Sequence, residues 1–133
     1  KQRSMAVSKT SLSAGSLIRE ILLNDPEVAK KVNKIFPIAT SEARLPYILY
    51  RRSAMSQDPV KRGRGADTVD IELICYTEKY IDGLELAEAV RAALDGKQYS
   101  KDGMEMRSCI LTDSEEGYDS DAFAQQLLFQ IKI

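Results

Sequence analysis

Histidine, cysteine and clustered carboxylates are the residue types that most often carry chemistry, and this sequence offers few of them. It has no histidine among its 133 residues. That removes Ser-His-Asp and Cys-His hydrolases, histidine general bases and nearly all zinc enzymes. Cys75 and Cys109 lie far apart, without C-x-x-C spacing, inside strand-like runs, and read as inert, partly buried thiols. Neither G-x-G-x-x-G nor G-x-x-x-x-G-K-[ST] is present. The sequence therefore points to no cofactor, no metal and no enzyme, and instead to an assembly or binding protein.

Two charged stretches remain. Gln57 to Gly65 joins turn formers to Lys61, Arg62 and Arg64 and predicts a solvated basic loop. Such cations attract phosphate or an acidic protein surface. No aromatic residue lies between Pro59 and Ala66 to stack on bases, and no helix is there to enter a groove, so nucleic-acid binding is the second reading. The segment Asp113 to Asp121 gathers carboxylates in a spacing that is not D-x-[DN]-x-[DN]-G. It reads as an acidic loop whose Glu115, Glu116, Asp119 and Asp121 suit contact with a neighbour's basic loop. Residues 1 to 65 hold 13 Lys/Arg and 5 Asp/Glu, whereas residues 66 to 133 hold 6 and 15. That asymmetry suits an electrostatically driven partner, another copy of the chain included.

The elements that must carry these stretches follow from periodicity. Residues 1 to 10 are set aside as a disordered or engineered N-terminal arm, and 11 to 133 form one soluble domain, since 133 residues at 44% hydrophobic suffice for one core. No eighteen-residue apolar run predicts a membrane span and no leader is visible, which makes the cytoplasm the default setting. Leu17, Ile18, Ile21 and Leu22 predict a helix over 11–24, capped by Ser13 or Ser16. Asp25-Pro26 starts a short second helix reaching about Val32. Ile35 to Ile38 is a brief extended segment, and Leu45 to Arg51 a strand entered through proline. Val69, Ile71, Leu73 and Cys75 alternate with polar residues in the returning strand of an extended hairpin. Tyr80 to Leu94 predicts a helix with a capping box at Asp82-Gly83-Leu84-Glu85 and an inner stripe of Leu84, Ala87, Val90 and Leu94. Met104 to Leu111 and Phe123 to Ile133 are the last two strands. The class is α+β: a four-stranded, mainly antiparallel sheet, helices on one face, and a long basic hairpin. The even face of the last strand, with Leu128 amid Gln126, Gln130 and Lys132, becomes an association surface if no helix covers it.

Several strings, in order, resemble the tail-completion (tail-terminator) proteins of long-tailed bacteriophages. They are Leu17-Ile18-Arg19-Glu20-Ile21-Leu22, Lys34-Ile35-Phe36-Pro37, and Leu45-Pro46-Tyr47-Ile48-Leu49-Tyr50 before a basic hairpin. The strand Thr68 to Tyr76, the helix Leu84 to Gly96, and an acidic turn before Phe123 to Ile133 complete the set over about residues 12 to 133. The resemblance implies a virion assembly protein of phage or prophage origin, made in the bacterial cytoplasm and carried in the tail. It implies a ring, usually a hexamer, that caps the tail tube, stops its polymerisation and docks the head-neck connector. Its implied partners are other copies of itself, the tube protein and the connector protein. Lys61, Arg62 and Arg64 would then face the lumen or the tube, meeting passing DNA or acidic tube subunits; no membrane is involved.

Overall fold

Asp25 and Pro26 divide the first third of the chain as their chemistry requires. The computed structural model describes residues 9–38, 44–58 and 67–133. Helix α1 (Ala14–Leu23) ends at Asn24, and α2 (Pro26–Ala29) begins with the Asp25 carboxylate accepting the N–H groups of Glu27 (2.9 Å) and Val28 (3.1 Å). At the head of α1 neither expected serine caps through its side chain. A 3-10 turn over Ser11–Ser13 satisfies the first amides, with the Thr10 hydroxyl accepting from Leu12, and Ser16 Oγ donates to the Ser13 carbonyl. Helix α2 is shorter than expected, stopping at Ala29.

Among the described residues seven strands follow: β1 (Lys34–Pro37), β2 (Tyr47–Gln57), β3 (Asp67–Thr77), β4 (Tyr99–Lys101), β5 (Met104–Met106), β6 (Ser108–Asp119) and β7 (Ala122–Lys132), with α3 (Tyr80–Leu94) between β3 and β4. Five form one sheet in the order β1-β2-β3-β7-β6, and β4-β5 is a separate hairpin. The α+β class holds, but the expected four-stranded antiparallel sheet is corrected to a five-stranded mixed one. The extra strand is Lys34–Pro37, which pairs parallel to Tyr47–Tyr50. Asn33 stitches it in place, its N–H donating to the Pro46 carbonyl (2.8 Å) and its side-chain amide to the carbonyls of Arg44 and Leu45.

A second correction concerns Asp113 to Asp119, which is strand rather than loop. It pairs with β7 as far as Asp119 opposite Ala122. Ser120 and Asp121 alone make the turn, both at positive φ (49° and 66°), the backbone of a two-residue hairpin whose twist matches its strands. The expected strand Met104 to Leu111 is likewise two strands broken at Arg107. One extra residue interrupts pairing on β2 and on β6: Ser53 between Arg52 and Ala54, and Thr112 between Leu111 and Asp113.

All three helices lie on one face of the sheet. Val69, Ile71, Leu73 and Cys75 of β3 and Leu127, Phe129 and Ile131 of β7 are buried there against Leu17, Ile18 and Leu22 of α1 and Leu86, Val90 and Leu94 of α3. In α3 the stripe is turned from expectation: Leu86 takes the inner position and Leu84 is half-buried. The helix spans Tyr80–Leu94 as expected, but Lys79 stands at its N-cap and the expected capping box at Asp82 to Glu85 does not form. The other face carries no helix among the described residues. Its Phe36, Tyr47, Leu49, Ile74 and Tyr76 cover one another by halves, with ring centroids of Tyr47 6.1 Å from Phe36 and 5.1 Å from Tyr76.

Candidate functional site

The sheet separates the two signs of charge. On the β1–β2 side stand Lys34, Arg44, Arg51 and Arg52; on the β6 side stand Asp113, Glu115, Glu116, Asp119 and Asp121, every one of these acids exposed. Lys61, Arg62 and Arg64, expected in the basic loop between β2 and β3, lie outside the described residues. Arg51 is held by Glu72 (2.6 Å) across β3, and Arg52 donates to the Leu12 carbonyl (2.9 Å) at the start of the helical layer. Glu72 in turn accepts from Gln126 of β7. A rank of bonds therefore crosses the open face from the basic edge to the middle of the sheet.

The acidic side has more order than sequence reasoning gave it. Glu115 and Glu116 are neighbours in a strand, so they point to opposite faces. Glu115 shares its rung with Gln126 on the open face. Glu116 turns to the helix side, where one oxygen accepts both the Tyr80 hydroxyl (2.8 Å) and the Gln125 amide (2.9 Å). These bonds, that from Gln125 first, hold the Glu116 carboxyl below the usual carboxylate range, and the carboxylate pushes the Tyr80 hydroxyl upward. Phe123 packs edge-on to both Tyr80 (5.9 Å) and Tyr118 (4.9 Å). Glu116 is thus a brace between hairpin and helix, while Glu115, Asp119 and Asp121 remain available to a partner. The aromatic cluster was missed in the sequence because Tyr80, Tyr118 and Phe123 come from three elements.

Among the described residues the arrangement does not gather reacting groups. The thiols of Cys75 and Cys109 are buried in the core, and burial pushes both up to about 12. Among the described residues no three Asp, Glu or Cys side chains are placed to hold a metal ion. An open cleft of about 810 Å³ runs between the β4–β5 hairpin and the start of the helical layer, lined by Lys9, Ser11, Asp67, Lys101 and Met104 among others. Within it Ser11 Oγ donates to the Asp67 carboxylate at 2.5 Å. Among the described residues no helix is long and apolar enough to cross a membrane. What the geometry can do is present oppositely charged strand edges.

Comparison with known proteins gives these edges a setting. A chain in the virion of a native gene transfer agent particle superposes with a TM-score of 0.73 at 15% identity, covering 93% of this chain and 98% of that one. The bacteriophage SPP1 gp17 protein superposes with a TM-score of 0.60 at 12% identity, covering 99% and 95%. No curated protein sequence matches. The family model for tail completion protein gp17 matches residues 16–133, nearly the whole of the described fold, and the chain belongs to that family, as a component of the virion tail.

Proposed function

We propose that this protein ends the tail tube by forming a closed ring of its own copies, six in number, seated on the tube's last subunits. The ring stops tube polymerisation and offers its far side to the head-neck connector, so the protein works by shape and surface and not as an enzyme. Family membership supports the tail as the place of action. The observation that carries ring formation is the segregation of charge to opposite edges of an open sheet, Arg51 and Arg52 on one and Glu115 and Asp119 on the other. A head-to-tail contact between unlike surfaces closes into a ring when the rotation per copy permits, and opposite charges speed and orient that encounter. Lys61, Arg62 and Arg64 then face the lumen or tube, where passing DNA or acidic tube subunits are their partners.

The test is light scattering coupled to size exclusion across protein and salt concentration, with the Lys61/Arg62/Arg64 triple neutralisation alongside and tail length measured in assembled particles. A closed oligomer near six copies and overlong or headless tails in the triple variant are the expected results. A monomer at every concentration, together with tails of normal length when the protein is absent, overturns the reading. Normal tails in the triple variant overturn the role given to the basic hairpin.

A further inference from the structure

Each outer edge of the sheet is closed over only half its length. On one side β1 covers β2 from Tyr47 to Tyr50, where the Ile38 N–H donates to the Tyr50 carbonyl (2.7 Å); beyond it, Arg51 to Gln57 has no strand on that side among the described residues. On the other side the loop after α3 covers the start of β6. The Gly96 N–H donates to the Cys109 carbonyl (2.7 Å), and Asp95 Oδ1 accepts from the Leu111 N–H (3.0 Å). Past Thr112, Asp113 to Asp119 pairs only with β7. The two open stretches are of equal length, and unpaired strand edges recruit other strands.

We infer that these half-edges are each other's partners: β2 of one copy, from Arg51 to Gln57, pairs antiparallel with β6 of the next copy, from Asp113 to Asp119. Three independent observations support a second copy as the occupant. Direction is the first. Strands β2, β3, β7 and β6 alternate up and down, so a copy rotated about an axis along the sheet presents β6 antiparallel to its neighbour's β2, and the alternation continues unbroken. Charge is the second, since Arg51 lies on the same open face as Glu115 and Asp119 and would run beside them, all three exposed.

Stagger is the third. Ala54 shares one rung with Asp70, Gln130 and Ile110 of its own chain. For the open faces of two copies to stay on the same side, Ala54 must oppose an open-face residue of the neighbour's β6, and the two stretches overlap most fully when that residue is Glu115 or Gly117, whose rungs are those of Gln126 and Ala124. The neighbour is then displaced along the strands by about 13–20 Å for every four strands, or about 19 Å, of sheet width. That corresponds to a strand tilt of about 35–46°, against the roughly 35–45° at which sheets close into barrels. The two covered half-edges thus force an offset, and the offset has the size that ring closure needs. The inference rests on the ring reading above and specifies its joint.

The test is cross-linking under mild oxidation of two double variants, Ala54→Cys with Glu115→Cys and Ala54→Cys with Gly117→Cys, with each single variant as control. Cys75 and Cys109 are buried and contribute no background. The expected result is loss of the monomer band to a ladder of covalent multimers in one double variant and in no single variant. A wild-type oligomer with no ladder in either double variant overturns the joint and leaves the ring reading standing. A wild-type chain that stays monomeric at every concentration, with tails of normal length when the protein is absent, overturns both. Hydrogen exchange on the unmodified oligomer serves if a variant misfolds: amides in 51–57 and 113–119 should slow by about tenfold or more relative to dilute protein, and unchanged exchange there overturns the joint.

Discussion

The carboxylate of Asp95, one residue past the end of α3, accepts the main-chain N–H of Leu111 in β6 at 3.0 Å. A helix C-terminus thereby seals a strand edge that would otherwise be open from Ser108 to Asp119. Asp95→Ala should lower stability by about 1 kcal/mol and add indiscriminate association through the unsealed stretch. Asp95→Asn keeps an acceptor at the same place and should behave like the parent. Thermal melts with parallel light scattering distinguish the two.

Charge reversal gives a reading of the joint in solution. Asp113→Lys with Glu115→Lys cancels the negative charge of the open β6 stretch and sets two cations towards the basic edge; Arg52→Glu with Ser56→Glu makes β2 acidic while leaving Arg51 on Glu72. Each variant alone should self-associate about tenfold more weakly, and an equimolar mixture should recover by alternation. Sedimentation of the separate and mixed samples decides, and a mixture no larger than its parts counts against the edge-to-edge contact.

Gly83 approaches β3 more closely than any side chain would allow. A Cβ built there lies 2.8 Å from Thr77 Oγ1, and that hydroxyl donates to the Lys79 carbonyl at 2.7 Å. Gly83→Ala should therefore destabilise by about 1–3 kcal/mol in spite of alanine's better helix propensity. Thr77→Ala removes the obstacle, so the second substitution should cost less in that background. A double-mutant cycle of urea midpoints measures the coupling.

The Glu116 brace has a pH window with two sides. Its carboxyl is held below the ordinary 4.5 by Gln125 and then Tyr80, so its contribution is complete above that value and is lost as pH falls through the lower folded value. The Tyr80 hydroxyl is held above its ordinary 10.0 by Glu116, so its contribution is complete below that value and is lost as pH rises through the folded one. Tyr80→Phe should move the Glu116 midpoint part-way back toward 4.5, and Gln125→Leu further. Carboxyl chemical shifts against pH provide the measurement.

Both thiols should resist modification until the fold opens. Cys75 and Cys109 are pushed up to about 12 by burial, leaving almost no thiolate at about pH 8. Labelling by a disulfide reagent should be negligible in native buffer and should follow the urea transition. Fast native labelling of either would show that the core beneath α3 opens locally.

Much of this arrangement was legible because one-sided burial writes a period into the sequence. Val69, Ile71, Leu73 and Cys75 alternate because β3 has helices on one side only, and Asp25-Pro26 announces α2 because capping is local chemistry. The same reasoning fails where neither face is buried. Asp113 to Asp119 is exposed at every position, so no period marks it as strand; only its pairing with β7 does. Lys34–Pro37 fails for shortness, with Ile35 its one buried residue. The acidic residues were found as a group, but their separate roles depend on which face each occupies, and that is set by partners up to 36 positions away, as Tyr80 is from Glu116.

Thr112 governs that division. It is the extra residue against β7, standing between Leu111, which shares a rung with Phe129, and Asp113, which shares one with Leu128. Side chains alternate along a strand, so drawing this single residue into the ladder, with Thr112 in place of Asp113 on the Leu128 rung, would act as a frameshift in space. Everything from Asp113 to the turn would exchange sides: Glu115 would swing beneath Tyr80, and Glu116 would be carried onto the open face. One inserted threonine thus decides which carboxylate serves as an internal strut and which is offered outward, without either glutamate changing its place in the chain.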